Sequence, residues 1–375
     1  MTLAGTDSAL STDQRAVRDA VYEFAVEEVR PVARDADATG TFPEGVWDAL
    51  ADRGLTGLAV PETYGGRGAD RTTYAVVNEA LAYGQLAVAT ALSVHCLATA
   101  CIATFGTDDQ KARWLPDMAD GRPVGMFALS ETGAGSNPAE MTTVARRDGD
   151  AYVIDGAKQW ITNGERGEVC ICFAKTDPDD QGSVTQFLVP KSAGVEVGKK
   201  EDKLGLRASD TAALVFDGVR VPAENRLTEE GRGLSAAFSL LTGGRIGIAA
   251  QAVGLAQAAF DETAAYAAEH DRDSQAVRHA LAEMATSVTA ARLLTYEAAR
   301  QEDAGEDPRV AASMAKWRAS ETAVEATSDA VSLLGHDGTT DDYPVERFYR
   351  DAKVTTIYEG TTEIQKEIVA RELLD

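Results

Sequence analysis

The sequence predicts a multidomain α+β protein with an N-terminal helical domain, a small middle β domain and a C-terminal four-helix bundle. Three observations carry this prediction. Apolar residues recur at helical spacing in the first third, short β-branched and aromatic runs separated by turn signals fill the middle, and long helical stretches occupy the end. The length of 375 residues is enough for two or three packed units. We place the domains at residues 1–121, 122–225 and 226–375.

The first domain opens with an amphipathic helix. Ser11 and Gln14 have the spacing of a capping box, and apolar residues then recur at i, i+3, i+4 and i+7 between Val17 and Phe24. We expect Arg30-Pro31 to end this helix, because the residue before a proline avoids helical geometry. Further helices are predicted over 44–53, closed by Gly54, and over 72–105, broken near Tyr83-Gly84.

The other two domains differ in periodicity. The middle domain is predicted to be a small, mostly antiparallel sheet, because its candidate strands are rich in β-branched and aromatic residues. These strands lie at 151–154, 169–173, 185–189 and 213–216. The last domain is predicted to hold four antiparallel helices. They lie at 230–269, 275–303, 308–334 and 361–374.

The charge balance is strongly acidic. The chain has 60 acidic against 36 basic residues, a net charge of -24, and only ten of the basic residues are lysines. The acidic residues are spread along the chain, which indicates a solvated surface and argues against a nucleic-acid partner, since phosphate contacts need basic clusters. A surface that is acidic and poor in lysine is typical of proteins from salt-rich cytoplasm, so a halophilic origin is our hypothesis.

Targeting and redox signals are few. No stretch approaches the roughly 20 uninterrupted apolar residues that a membrane span needs, and Met1–Leu10 lacks the basic and apolar regions of an export signal. The sequence therefore predicts a cytoplasmic protein that does not bind membranes. We expect four buried, reduced thiols and no metal site, because no CxxC pair and no metal-ligand His spacing occurs. The cysteines are Cys96, Cys101, Cys170 and Cys172.

Six motifs in a fixed order carry the chemistry. In the motif at 127–136, Gly133 and Gly135 would let the backbone approach a ligand closely. In the motif at 357–365, Glu359 lies between the apolar pair Ile357-Tyr358 and the start of a helix. The motifs are GLTGLAVPE (54–62), FALSETGAGS (127–136), KQWITN (158–163), KLGLRAS (203–209), RFYRDAK (347–353) and IYEGTTEIQ (357–365). By their order and spacing the chain resembles the acyl-CoA dehydrogenase family over nearly its full length.

The resemblance implies an FAD cofactor and an acyl-CoA substrate. The residues it places at the flavin are Phe127, Ala128, Leu129, Ser130, Gly135, Ser136, Trp160, Ile161, Thr162, Gln275, Thr361, Thr362 and Glu363. Those it places at the substrate are Ser136, Arg245, Tyr358 and Gly360. Structural alternatives remain open: an ordinary glycine-rich turn at 127–136, a core tryptophan at Trp160 and a bundle salt bridge at Arg245.

Glu359 is the predicted general base. A carboxylate partly shielded from water has a raised pKa, which brings it towards the pH at which a base operates. Its alternative role is a helix N-terminal acid that interacts with the helix dipole. The resemblance implies α,β-dehydrogenation, in which Glu359 removes an α-proton and a hydride passes from the β-carbon to the flavin N5. It also implies an electron-transfer flavoprotein as the electron acceptor.

Two positions narrow the substrate class. Branched-chain and long-chain members of the family place the base directly before the residue that matches Arg245, and here that position is Gly244. The resemblance is therefore to the short- and medium-chain type. Dicarboxylyl-CoA members use an arginine over the acyl pocket, and the stretch from Tyr83 to Phe105 contains none. This argues against a glutaryl-type substrate.

Elements that the family uses to hold the FAD of a neighbouring subunit depart from the pattern. The segment 270–275 is shortened, with His270 in place of an arginine, and Arg272 is a candidate substitute. Ser332 and His336 replace a glutamine and a glycine. Either the lineage makes its flavin contacts differently in a homotetramer, or a paralogous subunit supplies them in a mixed oligomer. An acyl-CoA oxidase and a flavin-poor structural subunit are the competing functions.

Overall fold

The N-terminal segment forms six α-helices within residues 9–374, which are the residues that the computed structural model describes. They are α1 (Thr12–Phe24), α2 (Arg30–Thr39), α3 (Glu44–Asp52), α4 (Arg71–Gly84), α5 (Leu86–Phe105) and α6 (Asp108–Ala119). The capping box is present: the Ser11 hydroxyl accepts from the Gln14 backbone N–H, and the Gln14 side chain accepts from the Ser11 N–H. Met1–Leu10, for which no export signal is predicted, lies outside the described residues apart from its last two.

The expectation that Arg30-Pro31 ends the first helix is wrong. After α1 one wide π-helical turn, Ala25–Val29, leads directly into α2, and Pro31 lies in the first turn of α2. Pro31 has no N–H to donate, and it follows the point where the bonding changes from π-helical to α-helical, with the Arg30 N–H donating to the Ala25 carbonyl. The helical path ends instead at Gly40, which has a φ of +63°.

Helices α4 and α5 form the long apolar stretch that the sequence predicts, and the break falls at Gln85, whose φ is −159°. The prediction that no stretch resembles a membrane span needs correction. The helices Leu86–Phe105 and Gly233–Glu269 are long and apolar enough to cross a membrane, as judged by length and composition alone. However, 83% of the most apolar window in the first is buried inside the protein, as a core helix requires.

The middle segment forms a seven-stranded sheet. Its pairings are antiparallel except two that β4 makes, one with β1 and one with the first residue of β2. The strands are β1 (Gly125–Ala128), β2 (Val144–Asp148), β3 (Ala151–Ile161), β4 (Val169–Lys175), β5 (Val184–Pro190), β6 (Glu196–Lys200) and β7 (Ala212–Pro222). Four of these contain the predicted runs. The sequence misses β1, which is four residues long, β2, and β6, which is exposed along its length.

The C-terminal segment contains the four predicted helices and a fifth, shorter one. They are α7 (Gly233–Glu269), α8 (Gln275–Asp303), α9 (Arg309–Leu334), α10 (Val345–Thr355) and α11 (Thr362–Leu374). Helix α10 buries Val345, Phe348 and Ala352 on one face, a spacing that the preceding Pro344 and the surrounding charges obscure in the sequence.

Contacts between the three segments position the site. The Asn163 amide, just after β3, donates to the carbonyls of Ala91 on α5 and Gly125 on β1, each at 3.1 Å. His95 of α5 also joins the sheet, because the Gly125 N–H donates to its Nδ1 at 3.0 Å. On the opposite side, the Leu206 N–H donates to the Asp351 carboxylate of α10. The end of β3 and β1 are therefore joined to α5, and the segment between β6 and β7 is joined to α10.

The four cysteines are free and buried, as predicted. Burial raises the pKa of Cys96 and Cys172 to about 12, so both remain thiols at neutral pH.

Candidate active site

Glu359 lies in a short, strained connection between α10 and α11. Its φ is +54° and that of Gly360 is +92°. Two successive residues in the left-handed region are costly when one carries a side chain, and such outliers concentrate at functional sites. The Glu359 Oε2 atom is buried and has no hydrogen-bond partner among the described residues. The connection therefore presents an unpaired carboxylate oxygen to the interior.

The carboxylate of Glu359 lies against a gap in helix α7. A methyl group at Gly244 would sit 3.1 Å from Glu359 Oε2. Two neighbouring glycines of α7 make room in the same way for α4: a methyl group at Gly243 would lie 2.5 Å from the Arg71 guanidinium, and one at Gly247 would lie 2.8 Å from the Tyr74 ring. A cleft of about 330 Å³ is lined by Gly244, Arg71 and Tyr74, among others. Gly244 therefore lies both in the lining of this cleft and beside the Glu359 carboxylate.

Burial raises the pKa of Glu359, and the charges of Lys316 and then Arg245 oppose that rise. Lys316 lies on α9 and donates from Nζ to the Gly360 carbonyl at 2.7 Å. Arg245 follows Gly244 on α7, and its Nε is buried without a hydrogen-bond partner among the described residues. Burial lowers the pKa of Arg245. The base is therefore desolvated, yet two cations face it, which suits proton abstraction near neutral pH.

A buried polar cluster closes the space behind the base. The Tyr358 hydroxyl donates to Gln251 Oε1 of α7 at 3.2 Å, and the Thr90 hydroxyl of α5 donates to the same oxygen at 3.2 Å. The Gln251 amide donates to Asn78 Oδ1 of α4 at 2.8 Å. This plug, formed by Asn78, Thr90, Gln251 and Tyr358, joins three helices to the residue that precedes the base.

The loop 127–136 leaves β1 and is held by a buried ion pair. Glu131 is only 5% exposed. Its carboxylate accepts from Lys158 Nζ at 2.9 Å and from the N–H and hydroxyl groups of Thr142 and Thr143. Burial alone would raise the pKa of Glu131, but Lys158 and these hydrogen bonds lower it to about 2. The ion pair fixes the loop on β3.

Trp160 is turned out of the sheet by a local irregularity of β3. The register between β3 and β7 shifts between Lys158 and Ile161, and Trp160 has a φ of +58°. Its side chain is 51% exposed, and a methyl group at Gly135 would lie 3.9 Å from its ring. An irregularity of this kind re-aims a side chain. An exposed indole beside a glycine loop is a surface on which a planar ring can stack.

The predicted flavin residues fall into two regions. Phe127 and Ala128 belong to β1, while Leu129, Ser130 and Ser136 belong to the loop after it. The Ser130 carbonyl accepts from the Gln159 N–H at 2.9 Å, which places the loop beside the strand end that carries Trp160, Ile161 and Thr162. Thr361 directly precedes α11, and Thr362 and Glu363 begin it. The positive end of the helix dipole at this position suits an anionic phosphate. These two regions are the candidate positions for the two ends of a long cofactor such as FAD.

Gln275 is not part of this site within the chain. It is exposed in the first turn of α8, and the turn before it packs on the C-terminal end of α9. Arg272 Nη1 donates to the Leu333 carbonyl at 2.9 Å, and His270 stacks on Tyr266 at 4.1 Å between ring centroids. Arg272 is the candidate substitute for the missing arginine. One of its hydrogen-bond donors is therefore already paired within its own chain.

The sequence alone predicts no role for Gln251, Lys316 or the Glu131–Lys158 pair. Lys316 has a signal in the sequence, because it is a charged residue among small residues of α9 such as Ala312, Ala315 and Ala319. Gln251 has a weaker one, as a polar residue inside the apolar run of α7. The partners of all three lie far away in the chain, so only the folded structure identifies them.

Family models match three consecutive parts of the chain. They are described as the acyl-CoA dehydrogenase N-terminal domain at residues 11–122, the middle domain at 126–219 and the C-terminal domain at 231–374.

Individual proteins match over almost the whole length. An acyl-CoA dehydrogenase of Bacillus subtilis (strain 168) is 41% identical, over 97% of this chain and 99% of the relative. A short-chain specific acyl-CoA dehydrogenase of Clostridium acetobutylicum is 39% identical, over 98% and 99%. The solved butyryl-CoA dehydrogenase of Megasphaera elsdenii is 36% identical, with a TM-score of 0.93 over 98% of this chain and 99% of that chain. A chain solved in a study of the electron transferring flavoprotein of Acidaminococcus fermentans is 37% identical, with a TM-score of 0.95 over 97% and 98%.

Proposed function

Because the chain belongs to the acyl-CoA dehydrogenase family, its reaction is FAD-dependent α,β-dehydrogenation of acyl-CoA thioesters, and we propose that Glu359 is the base that starts it. The observation that carries this proposal is the buried, unpaired Oε2 of Glu359. The desolvated oxygen accepts the α-proton of the thioester, and the raised pKa of Glu359 makes it a stronger base than an exposed glutamate.

A carboxylate needs help, because the α-proton of a thioester is weakly acidic. We propose that the main-chain N–H of Glu359 donates to the thioester oxygen and stabilises the negative charge that develops there. In support, this N–H makes no hydrogen bond to the protein within residues 9–374. Gly360, the next residue of the backbone, leaves space for the thioester. Arg245 on α7 balances the negative charge of Glu359.

The residues at the predicted flavin positions would hold FAD in two groups. The loop from Phe127 to Ser136 and the exposed face of Trp160 suit the ring system, and the first turn of α11, from Thr361 to Glu363, suits a more polar part. When bound, FAD accepts the hydride that leaves the β-carbon. The chain itself aligns the base with the substrate and excludes water from it.

We propose that the substrate is a short, straight acyl chain. The polar plug of Asn78, Thr90, Gln251 and Tyr358 fills the interior directly behind the base, where a longer chain would have to extend. Branched-chain and long-chain members of the family place the base at the position of Gly244, and a glycine cannot serve as a base. We therefore assign the chain to the short- and medium-chain type.

Replacement of Gln251 tests the plug. We expect Gln251→Ala to raise the ratio of octanoyl- to butyryl-CoA kcat/KM by about tenfold, because the methylenes of the longer chain gain buried contacts in the vacated space. Gln257→Ala is the matched control, since Gln257 is a buried glutamine of the same helix that bonds to Arg292 rather than to the plug. An unchanged ratio in Gln251→Ala would show that the plug does not limit chain length.

The test of the function is an anaerobic visible spectrum of the purified, flavin-loaded protein before and after addition of butyryl-CoA. Bleaching of the flavin band is expected. A spectrum that does not change with butyryl-, octanoyl- or branched acyl-CoA contradicts the proposal. In air, stoichiometric peroxide formation would favour the oxidase over a dehydrogenase that passes electrons to an electron-transfer flavoprotein, which is the acceptor we propose.

The assembly we propose is a homotetramer, with a mixed oligomer containing a paralogue as the alternative that the altered residues His270, Ser332 and His336 motivate. Expression of this chain alone separates the two. A tetramer with one FAD per chain supports the first. A flavin-poor chain that gains FAD only when a paralogue is co-expressed supports the second.

We propose a cytoplasmic location in a salt-rich cell. With a net charge of -24, self-repulsion opposes folding at low ionic strength, and salt shortens the Debye length from about 10 Å at 0.1 M to about 3 Å at 1 M. We therefore expect the thermal unfolding midpoint to rise between dilute buffer and molar KCl. A midpoint that is unchanged or falls would contradict the halophilic assignment.

A further inference from the structure

Lys316 is a fully buried lysine beside the proposed base. Its side chain has no exposed surface, and its face of α9 also buries Ala312, Ser313, Ala319 and Ser320. Nζ donates to the Gly360 carbonyl at 2.7 Å. An ammonium in such surroundings is costly unless charge or hydrogen bonds compensate it. The Gly360 carbonyl provides the hydrogen bond, and the carboxylate of Glu359 provides the charge.

The Gly360 carbonyl is held from two helices. Lys316 approaches it from α9, and the buried Gln365 of α11 donates to it from Nε2 at 2.9 Å. Gln365 lies so close that a methyl group at Gly360 would be 2.6 Å from its Nε2. This double anchor acts on the backbone where Glu359 and Gly360 both have a positive φ. It therefore stabilises the conformation that aims the Glu359 carboxylate inwards.

The charged and titratable groups around the carboxylate come from four helices and the connection itself. Arg245 lies on α7, Tyr74 on α4, Lys316 on α9 and Glu363 on α11, while Tyr358 precedes the base. Lys316 is the largest influence that opposes the effect of burial on the pKa of Glu359. Burial in turn lowers the pKa of Lys316 to about 7, against the opposing influence of Glu359.

We propose that Lys316 is a positioning residue of the dehydrogenation reaction, which pins the Glu359–Gly360 backbone through the Gly360 carbonyl and supplies the positive charge that keeps Glu359 ionised before it takes the α-proton. This inference rests on the proposed role of Glu359. It assigns two functions to one side chain, and three variants test the contribution of the charge. Lys316→Met removes donor and charge, Lys316→Gln removes the charge but keeps a donor, and Lys316→Arg keeps both.

The decisive measurement is the pH profile of kcat/KM for butyryl-CoA on flavin-loaded protein. The acidic limb reports the pKa of the essential base in the free enzyme. Loss of the ammonium disfavours the carboxylate, so we expect this limb to move to higher pH by about one unit in Lys316→Met and in Lys316→Gln. In Lys316→Arg it should stay at the wild-type pH. Lys366→Met is the control, because Lys366 is an exposed lysine on neighbouring α11 that pairs with Glu321.

An acidic limb at the wild-type pH in both Lys316→Met and Lys316→Gln overturns the proposal, even if both variants are less stable. If Lys316→Met does not fold, Lys316→Gln against Lys316→Arg still decides it, since these two differ in charge while both can donate. Failure of the proposed function would look different, because wild-type protein would then not be bleached by butyryl-CoA at any pH.

Discussion

Glu359→Gln should abolish most of the activity while leaving the protein folded and yellow. Glutamine has nearly the same shape, so the strained connection and the contact with Gly244 persist, but an amide cannot accept the α-proton. We expect the anaerobic rate of flavin bleaching by butyryl-CoA to fall by about 10³- to 10⁴-fold, at the upper end of what a general base contributes. Stopped-flow absorbance of the flavin band measures it.

The matched control for this variant is Glu367→Gln, because Glu367 is an exposed glutamate of α11 that pairs with Arg371. Its bleaching rate should equal that of the wild type. Retention of a rate within about threefold of the wild type in Glu359→Gln would remove Glu359 from the role of base, since a general base typically contributes at least about 10².

The same site allows a gain-of-function test. Outside its own helix backbone and its chain neighbours, the atoms of residues 9–374 within 4 Å of a methyl group at Gly244 belong to the Glu359 carboxylate. In a Glu359→Ala background that space is empty, so Gly244→Glu can place a carboxylate there from α7. We expect the double variant to react at least about tenfold faster than Glu359→Ala, because orientation alone accounts for factors of this size.

Lys158→Met is the second large expected effect, on stability rather than on proton transfer. Both partners of the Glu131–Lys158 pair are almost completely buried. Removal of one partner leaves an uncompensated buried charge, which costs about 3–5 kcal/mol. Because the pair also fixes the loop from Phe127 to Ser136, the flavin content should fall. Denaturant unfolding and the ratio of flavin to protein absorbance measure the two effects.

Two comparisons make the Lys158 result interpretable. The double variant Glu131→Gln/Lys158→Met replaces the ion pair with neutral groups, and it should recover part of the lost stability. Lys200→Met removes an exposed partner of Glu165 and should change stability by less than about 1 kcal/mol. Wild-type stability and full flavin content in Lys158→Met would contradict the role given to the pair.

The Glu131–Lys158 pair also determines how the stability of the folded protein changes with pH. The pKa of Glu131 is lowered to about 2 in the folded protein, against about 4.3 for an ordinary glutamate. A depressed carboxylate pKa contributes stability above the unfolded-state value and loses it as the pH falls towards the folded-state value. This contribution is therefore complete at neutral pH and lost between about pH 4 and pH 2.

The sequence is sufficient to predict the order of domains and the helices with strong periodicity. Local patterns carry that information, as the Ser11 cap and the break near Gly84 illustrate. Other features depend on partners distant in the chain. The path through Pro31 requires a π-helical turn that no short pattern marks, and β1 is too short to stand out beside the helices that cover it.

The candidate site divides in the same way. Glu359 and the loop at 127–136 are recognisable because their motifs are contiguous. The plug around Gln251 and the anchor at Lys316 assemble residues from α4, α5, α7, α9 and α11, so each looks like an isolated polar residue in an apolar helix. The His270 and Ser332 segments are identified only by their departure from the family pattern, and the effect we propose for them is on flavin binding between subunits.

The glycines of α7 have a consequence for adaptation. Each glycine inside a helix costs about 1 kcal/mol relative to alanine, and Gly243, Gly244 and Gly247 fall within two turns. Selection for thermal robustness would ordinarily replace such residues. Here a methyl group at each position would meet Arg71, the Glu359 carboxylate or Tyr74 at 3.1 Å or less. Stability and catalysis therefore compete for the same three positions, and a more robust form of this protein has to gain its stability elsewhere in the fold.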